Sequence, residues 1–174
     1  MRTIDALENS PTAEEIRFSC ARSTLGHVLA AFSRIGLVSI LVGEDADELF
    51  AELQKRFPAA QLTRADKEDA GNALSIVRFL EDPNTGLDLP LDLRGTAFQR
   101  RVWRAVQEIP VGETSTYAQI ARKIGAPRAA RAVGSACCRN YLAFVIPCHR
   151  VLRSNGALSG MVDRQEELLR RERR

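Results

Sequence analysis

The chain has 174 residues and a formal net charge of +3 at pH 7, a length that suits one domain or one domain with a small appendage. It has no apolar run of transmembrane length, and residues 1–10 lack the apolar core of a signal peptide, so we expect an intracellular, cytoplasmic protein. The four cysteines, Cys20, Cys137, Cys138 and Cys148, follow neither a disulfide framework nor a Cys-x-x-Cys spacing. This indicates reduced thiols and argues against a zinc site.

The charge is distributed unevenly along the chain. Residues 1–92 carry 9 basic and 16 acidic side chains, a net charge of −7, whereas residues 93–174 carry 16 basic and 6 acidic ones, a net charge of +10. All the basic residues of the second part except Lys123 are arginines. The asymmetry indicates a polyanionic partner for the second part, and we favour nucleic acid over a merely solvated basic surface.

The first part has the pattern of a small sheet with two helices. Alternating apolar and polar residues at 16–20 predict a half-buried strand, and 28–32 and 37–42 read as two more strands, with the spacing of a β-meander. The apolar spacing then becomes helical at about 45–57 and again at about 67–80, and a proline follows each helix. We interpret the leucine-rich loop at 84–94 as a linker, which divides the chain into an N-terminal domain at 1–92 and a C-terminal domain at 93–174.

Capping motifs mark the helices of the second part. The segments 96–99 and 116–119 both read as capping boxes, Thr-x-x-Gln, so we expect a helix to start at each. Trp103 is expected in the core. Pro127 is predicted to open the next helix, at a position where proline is tolerated, and a last helix is predicted to start near Asp163.

The two short helices that follow residue 116 have the pattern of a helix-turn-helix. In the second helix we expect Arg128, Arg131 and Ser135 on the outward face, and the inward face is predicted to hold Ala129, Ala132, Val133 and Ala136. Many helix pairs look like this, so the basic charge of the second part is what favours DNA binding. Small outward residues allow a groove to be approached closely.

The segment 144–152 places a compact set of reactive residues inside an apolar run. Pro147 fixes the backbone ahead of Cys148, and His149 and Arg150 follow directly. A cysteine next to a histidine is typical of a thiol that acts as a nucleophile, because the thiolate is the reactive form. The alternative is a buried structural cysteine. The polar pair after Cys148 disfavours that alternative, since a buried structural strand has little reason to carry it.

Taken together, these motifs resemble the O6-alkylguanine-DNA alkyltransferase family. The Pro-Cys-His-Arg-Val segment is similar to that family's active-site signature, and the resemblance covers residues 16–174, most strongly after residue 88. The matching segments are Arg94–Gln99, Val102–Trp103, Ile109–Thr114, Tyr117, Arg131–Gly134, Asn140 and Ile146–Val151.

The resemblance implies an α+β fold with a small N-terminal antiparallel three-stranded sheet with helices, RNase H-like, followed by a helical C-terminal domain with a helix-turn-helix. It also implies direct-reversal DNA repair without cofactor or metal. A monomer would bind the minor groove of double-stranded DNA and flip out the damaged base, since a thiolate cannot reach it inside the stack. The alkyl group of O6-alkylguanine, and also of O4-alkylthymine, would then pass irreversibly to cysteine. A non-catalytic lesion-binding or regulatory protein on the same scaffold is the alternative, and a cysteine hydrolase ranks last because no oxyanion loop is evident.

The resemblance also implies catalytic roles for five residues. Cys148 would be the nucleophile and alkyl acceptor, His149 would deprotonate it through a water, and Glu172 would orient that histidine. Tyr117 would give a proton or hydrogen bond to the leaving guanine, and Asn140 would brace the turn beside the active-site segment. Without the resemblance, Glu172 reads as an exposed helix charge and Tyr117 equally well as a core residue.

The same resemblance implies the residues that contact DNA and the flipped base. Arg131 would fill the gap that the flipped base leaves, and the other expected DNA contacts are Arg128, Ala129, Ser135, Thr116 and Arg150. The expected pocket is lined by Tyr117, Cys148, Val151, Ser159, Gly160 and Met161. One departure stands out: relatives carry Ser-Gly-Tyr-Arg-Trp-Gly before the last helix, whereas here methionine follows Gly160 and about three residues are absent.

Overall fold

A computed structural model describes residues 13–158 and 162–173 of the chain. Its first part contains a sheet and two helices. The strands are β1 (Glu15–Ser23), β2 (Gly26–Phe32), β3 (Leu37–Gly43) and β4 (Gln61–Arg64), and the helices are α1 (Ala46–Arg56) and α2 (Lys67–Glu81). The three predicted strands and both predicted helices are therefore present, with slightly different ends.

The sheet has one strand more than the three that the sequence predicts. Its order is β3-β2-β1-β4, in which β1, β2 and β3 are antiparallel neighbours and β4 runs parallel to β1. The fourth strand escaped detection because it has only four residues, none of them fully buried. The predicted α+β class is confirmed, with a mixed four-stranded sheet instead of a purely antiparallel one.

The sheet is covered on both faces, because the side chains of a strand alternate between them. In β2, Leu29 and Ala31 pack with α1 in one cluster. Val28, Ala30 and Phe32 face the other side and pack with α2 and with helices of the second part. This second cluster continues without a break across residue 92, so one core joins both parts of the chain.

The segment after α2 extends the sheet at its β3 edge. A 3₁₀ turn at Pro83–Thr85 is followed by an extended stretch in which the Leu37 N–H donates to Pro90 O at 2.8 Å. The Asp92 N–H in turn donates to Leu37 O, also at 2.8 Å. A Cβ on Gly36 would lie 2.1 Å from Pro90 O, so only glycine allows this close approach. The predicted linker is therefore bound to the sheet by its backbone.

The second part contains four helices among its described residues. They are α3 (Ala97–Gln107), α4 (Tyr117–Lys123), α5 (Ala130–Cys138) and α6 (Val162–Glu172), with a 3₁₀ turn at Cys148–Arg150 and two short parallel strands, β5 (Ser115–Thr116) and β6 (Val151–Leu152). Both predicted capping boxes are present, from Thr96 and Thr116. Trp103 is 2% exposed, and its Nε1 donates to Ala136 O at 2.9 Å, which ties α3 to α5.

The start of α5 differs from the prediction. Pro127 and Arg128 belong to a turn in which the Ala129 N–H donates to Ala126 O at 2.9 Å, and the helix begins only at Ala130. Arg128 therefore precedes the helix and is not on its outward face. In the part of the chain that the structure describes, no helix is long and apolar enough to cross a membrane.

Candidate active site and nucleic-acid interface

A tight turn after α5 leads into the 3₁₀ turn, which begins with Cys148. Asn140 holds this turn from both sides of its side-chain amide: Oδ1 accepts from the Leu142 N–H at 2.9 Å, and Nδ2 donates to Ile146 O at 3.0 Å. The same Nδ2 lies 3.4 Å from Sγ of Cys148. Within the turn, Phe144 has a φ of +75°, a left-handed conformation that side-chain-bearing residues rarely adopt. Such strain persists only where the surrounding contacts enforce it.

The thiol of Cys148 lies between Asn140 and Cys137. The pKa of Cys148 is raised well above its usual range, first by a hydrogen bond with the Cys137 thiol and then by burial, whereas the hydrogen bond from Asn140 lowers it. The three residues line a cavity of about 260 Å³ together with Ile40 and Arg56 of the first part. The resting thiol is thus protonated at neutral pH, and it needs a base before it can act as a nucleophile.

The two residues that follow Cys148 belong to a buried network of charged side chains. Nε2 of His149 is 2.6 Å from Oε1 of Glu172, and Arg150 donates from Nε and Nη2 to the two oxygens of the same carboxylate, each at 2.9 Å. Burial raises the pKa of Glu172, but the hydrogen bonds from His149 and Arg150 outweigh it and lower the pKa to about 2. Glu172 is therefore an ionised, buried carboxylate, not the exposed helix charge that the isolated sequence suggests.

The expectation that Arg150 contacts DNA is wrong. The residue is 5% exposed, and besides its two bonds to Glu172 it donates from Nη1 to Ile109 O at 2.6 Å. All of these partners are internal, so the guanidinium joins the 3₁₀ turn to α6 and to the segment after α3. A bidentate arginine is well suited to this task because its planar donors match a carboxylate.

The network determines which nitrogen of His149 can act as a base. An ionised carboxylate only accepts hydrogen bonds, so Nε2 of His149 carries the proton. Nδ1 of the neutral ring is then unprotonated and able to accept a proton. Among the hydrogen bonds of the described residues, none joins the Cys148 thiol directly to this ring, which leaves room for a relay through a third group.

The predicted helix-turn-helix is formed by α4 and α5, joined through Gly125 with a φ of +72°. The α4 helix starts with Tyr117, whose half-buried ring faces α5: a Cβ on Gly134 would lie 3.9 Å from ring atoms of Tyr117. Thr116 caps α4 by accepting from the Gln119 N–H at 3.2 Å. The Thr116 N–H in turn donates to Oε1 of Gln119 at 2.7 Å, so the hydroxyl oxygen and the backbone N–H are both committed to the helix and the methyl group is left for a partner.

The outer surface of this helix pair is basic and built from small residues. Arg131 and Ser135 are exposed on α5, as predicted, Arg128 is exposed in the turn before the helix, and Ala129 is half-buried. Ala132 is also exposed, which corrects its assignment to the inward face; Val133 and Ala136 are the buried residues of α5. With about 3.6 residues per turn, Ala132 lies at the edge of the face that Val133 and Ala136 form, so it reaches the surface.

The expected pocket also includes Val151 and the segment 159–161. Val151 is 2% exposed and packs in the main core, so a contact with a substrate would have to come from its backbone. Ser159, Gly160 and Met161 lie outside the described residues.

The contact between Cys137 and Cys148 was not predicted from the sequence. The signal available was the adjacent Cys137-Cys138 pair on the predicted helix. In residues 13–158 and 162–173, no three metal-binding side chains come together in a cluster that could hold a metal ion.

Comparison with known proteins relates this geometry to a family. A family model described as "6-O-methylguanine DNA methyltransferase, DNA binding domain" matches residues 97–174. The chain is 48% identical over 160 residues to the "Bifunctional transcriptional activator/DNA repair enzyme Ada" of Escherichia coli, which covers 90% of this chain but only 45% of that protein. It is 57% identical over 108 residues to a "Methylated-DNA--protein-cysteine methyltransferase" of Mycolicibacterium paratuberculosis, covering 60% of this chain and 66% of that one.

The fold is also similar to that of a solved protein–DNA complex. The structure of Mycobacterium tuberculosis OGT in complex with DNA superimposes with a TM-score of 0.72 and 34% sequence identity. The match covers 91% of this chain and 92% of that one. The similarity therefore extends over both parts of the chain and is not limited to the helix-turn-helix.

Proposed function

We propose, from the premise that this chain belongs to the O6-methylguanine-DNA methyltransferase family, that it repairs DNA by moving an alkyl group from O6-alkylguanine to Cys148. The observation that supports this most directly is the position of Asn140. Its backbone N–H donates to Cys137 O at the end of α5, at 3.2 Å, and its side chain reaches Sγ of Cys148 at 3.4 Å. One residue thus connects the basic helix to the nucleophile.

The proposed reaction is a single displacement at the alkyl carbon. The sulfur of Cys148 forms a bond to that carbon, and the bond from the carbon to O6 of guanine breaks with its electron pair. The base leaves as a poor anion unless it is protonated or hydrogen-bonded, a role that we assign to the hydroxyl of Tyr117. The product is a thioether, which is stable, so each chain reacts once. O4-alkylthymine presents the same kind of carbon–oxygen bond and is included as a second substrate.

His149 is the proposed base, in agreement with the expectation from the sequence. Because Nε2 is occupied by Glu172, the proton of Cys148 moves through a water to Nδ1. The ionised Glu172 then stabilises the imidazolium that forms, and Arg150 keeps Glu172 ionised and in place. The raised pKa of Cys148 keeps the thiol neutral until a substrate is bound.

The proposed partner is double-stranded DNA, which would be bound through its minor groove by a monomer of this protein. The exposed Arg128 and Arg131 supply positive charge, and Ala129 and Ser135 allow close approach to the sugar-phosphate backbone. Thr116 adds a contact through its methyl group at the start of α4. We assign to Arg131 the role of filling the gap left by the flipped base, because its long side chain is exposed on the outward face of α5.

The proposal also covers organisation and location. The chain spans 45% of the length of the Escherichia coli relative. The activity proposed for this chain is therefore our inference and is not taken over from that relative. We assign alkyl transfer and DNA binding to residues 93–174 and a supporting role to residues 1–92. Since the two curated relatives described above come from bacteria, we place the protein in a bacterial cytoplasm.

Intact mass spectrometry tests the proposal. After incubation with a duplex oligonucleotide that contains O6-methylguanine, the protein should gain the mass of one methyl group in place of one hydrogen, once per chain. Cys148→Ala should bind the duplex and gain nothing, whereas the matched variant Cys138→Ala should react like the parent protein. Binding of the methylated duplex without any gain in mass would instead support the non-catalytic lesion binder.

A further inference from the structure

The residue that follows Asn140 is held by the first part of the chain. Tyr141 is 38% exposed as a residue, and its ring packs at the C-terminal end of α1. Cζ of Arg56 lies 4.6 Å from the centre of the Tyr141 ring, a cation–π distance, and the Phe57 ring approaches it edge-on at 6.0 Å.

The backbone of Tyr141 is bound to the same part of the molecule. Its carbonyl accepts from the Ile40 N–H of β3 at 2.8 Å, and Leu142 pairs with Ile40 in an isolated parallel bridge. The segment after α5 thus adds to the edge of the sheet, next to the place where Leu91 pairs with Leu37. Residue 141 is held by both its main chain and its side chain.

The side chain of Arg56 is also oriented by two partners other than Tyr141. Its Nε pairs with Oε1 of Glu52 at 3.2 Å, one turn earlier on α1, and its Nη1 donates to the hydroxyl of Ser39 at 3.1 Å. Ser39 lies fully buried in β3. A guanidinium with two such partners presents a defined face to the ring, so less side-chain freedom is lost when the contact forms.

The step from Tyr141 to the reactive thiol is short. Asn140 precedes Tyr141, and its Nδ2 holds both Ile146 O and Sγ of Cys148. Its Oδ1 accepts from Leu142, the residue on the other side of Tyr141. A displacement of residue 141 would therefore disturb the hydrogen bonds at both Oδ1 and Nδ2 of Asn140.

We propose that Arg56 and Phe57 clamp the ring of Tyr141, and that Tyr141 is a positioning residue that holds the Asn140 amide against the thiol of Cys148. The consequence for catalysis rests on the proposed function, because it takes Cys148 as the alkyl acceptor. The clamp gives the first part of the chain a specific task in the chemistry of the second. Sγ of Cys148 keeps the Asn140 amide as a hydrogen-bond donor only while Tyr141 holds the turn after α5 in place.

The expected effect of loosening the clamp is a change in thiol ionisation. The hydrogen bond from Asn140 opposes the influence of Cys137 and of burial on the pKa of Cys148. When Asn140 moves away, the pKa of the thiol rises further and the thiolate becomes scarcer at a given pH. A lost hydrogen bond to a charged group corresponds to about a tenfold change in an equilibrium, so transfer at neutral pH should slow by about tenfold.

The test measures alkylation of Cys148 by iodoacetamide as a function of pH, followed at the Cys148 peptide by mass spectrometry. Tyr141→Ala and Arg56→Ala should move the midpoint of this profile to higher pH and slow methyl transfer from a duplex oligonucleotide. Tyr141→Phe keeps the ring and should restore the parent midpoint. Arg17→Ala is the matched control, because it removes an ion pair to Asp69 at 2.6 Å in the same part of the fold but makes no contact with residue 141.

The readouts separate positioning from stability. Arg17→Ala should lower the melting temperature and leave the pH midpoint unchanged. A clamp variant should shift the pH midpoint even when the profile is measured at a temperature well below the melting temperature of that variant. An unchanged midpoint in Tyr141→Ala, or a midpoint in Tyr141→Phe that matches Tyr141→Ala, overturns the proposal. If the parent protein transfers no methyl group but the midpoints shift as stated, the clamp stands and only the proposed function fails.

Discussion

Nε2 of His149 lies 2.6 Å from Oε1 of Glu172, and the two side chains are 6% and 2% exposed. They are separated by 23 positions in the sequence and belong to different elements, the 3₁₀ turn and α6. Arg150 completes the group by binding both oxygens of Glu172. The proposed base and the attachment of the last helix therefore share the same carboxylate, and this coupling can be tested.

Glu172→Gln should impair both stability and alkyl transfer. The substitution leaves Arg150 buried with a neutral partner, and breaking a buried ion pair on one side lowers the free energy of unfolding by about 3 kcal/mol. Loss of support for His149 should also slow methyl transfer by about 100-fold. Urea denaturation and single-turnover transfer at a temperature where the variant is folded measure the two effects.

Glu167→Gln is the matched control on the same helix. Glu167 pairs with Arg170 and Arg171 in a more exposed position, and solvent screens such pairs. The control should therefore change stability little and leave the transfer rate intact. A Glu172→Gln protein as stable and as active as this control would remove Glu172 from its assigned role.

The stability of the protein should fall in acid between about pH 4.5 and pH 2, because the pKa of Glu172 is near 2 in the fold against an ordinary value of 4.5. A carboxylate with a depressed folded-state pKa stabilises the fold above its unfolded pKa, and this contribution is lost as the pH falls toward the folded value. Denaturation curves at several pH values should show a smaller acid-dependent loss in Glu172→Gln than in the parent protein. Equal losses in both proteins would contradict the depressed pKa.

Cys137→Ala should make the Cys148 thiol more reactive at neutral pH. The hydrogen bond with Cys137 is the largest cause of the raised pKa of Cys148, so its removal lowers that pKa and increases the thiolate fraction. Alkylation of the Cys148 peptide by iodoacetamide should be severalfold faster than in the parent protein. Cys138→Ala, at an exposed neighbouring position, serves as the comparison; if it accelerates the reaction as much, the effect is not specific to Cys137.

Arg131→Ala should slow repair of duplex DNA more than reaction with a free O6-alkylguanine base, because only a duplex has a gap to fill. Affinity for duplex DNA should also fall steeply as salt increases, since basic residues displace counterions from phosphates. Arg17→Ala, which lies on the sheet, should leave the ratio of the two rates unchanged. Equal losses of Arg131→Ala on both substrates would show that Arg131 does not fill the gap.

Local features of the fold follow from the sequence because they depend on neighbours along the chain. The capping boxes at Thr96 and Thr116 form as expected, since each needs only residues three positions apart. Pro127 shows the limit of this reasoning. It could open a helix by its own geometry, but the Ala126–Ala129 turn delays the helix to Ala130.

The adjacent Cys148 and His149, the α+β class and the basic character of the second part can be recognised in the sequence, because short motifs and composition carry them. That Arg150 is internal, that Cys137 meets Cys148 and that Arg56 reaches Tyr141 is seen only in the folded chain. Each of these depends on contacts between residues far apart in the chain or on different elements. Burial and charge pairing arise from such contacts, and no local pattern specifies them.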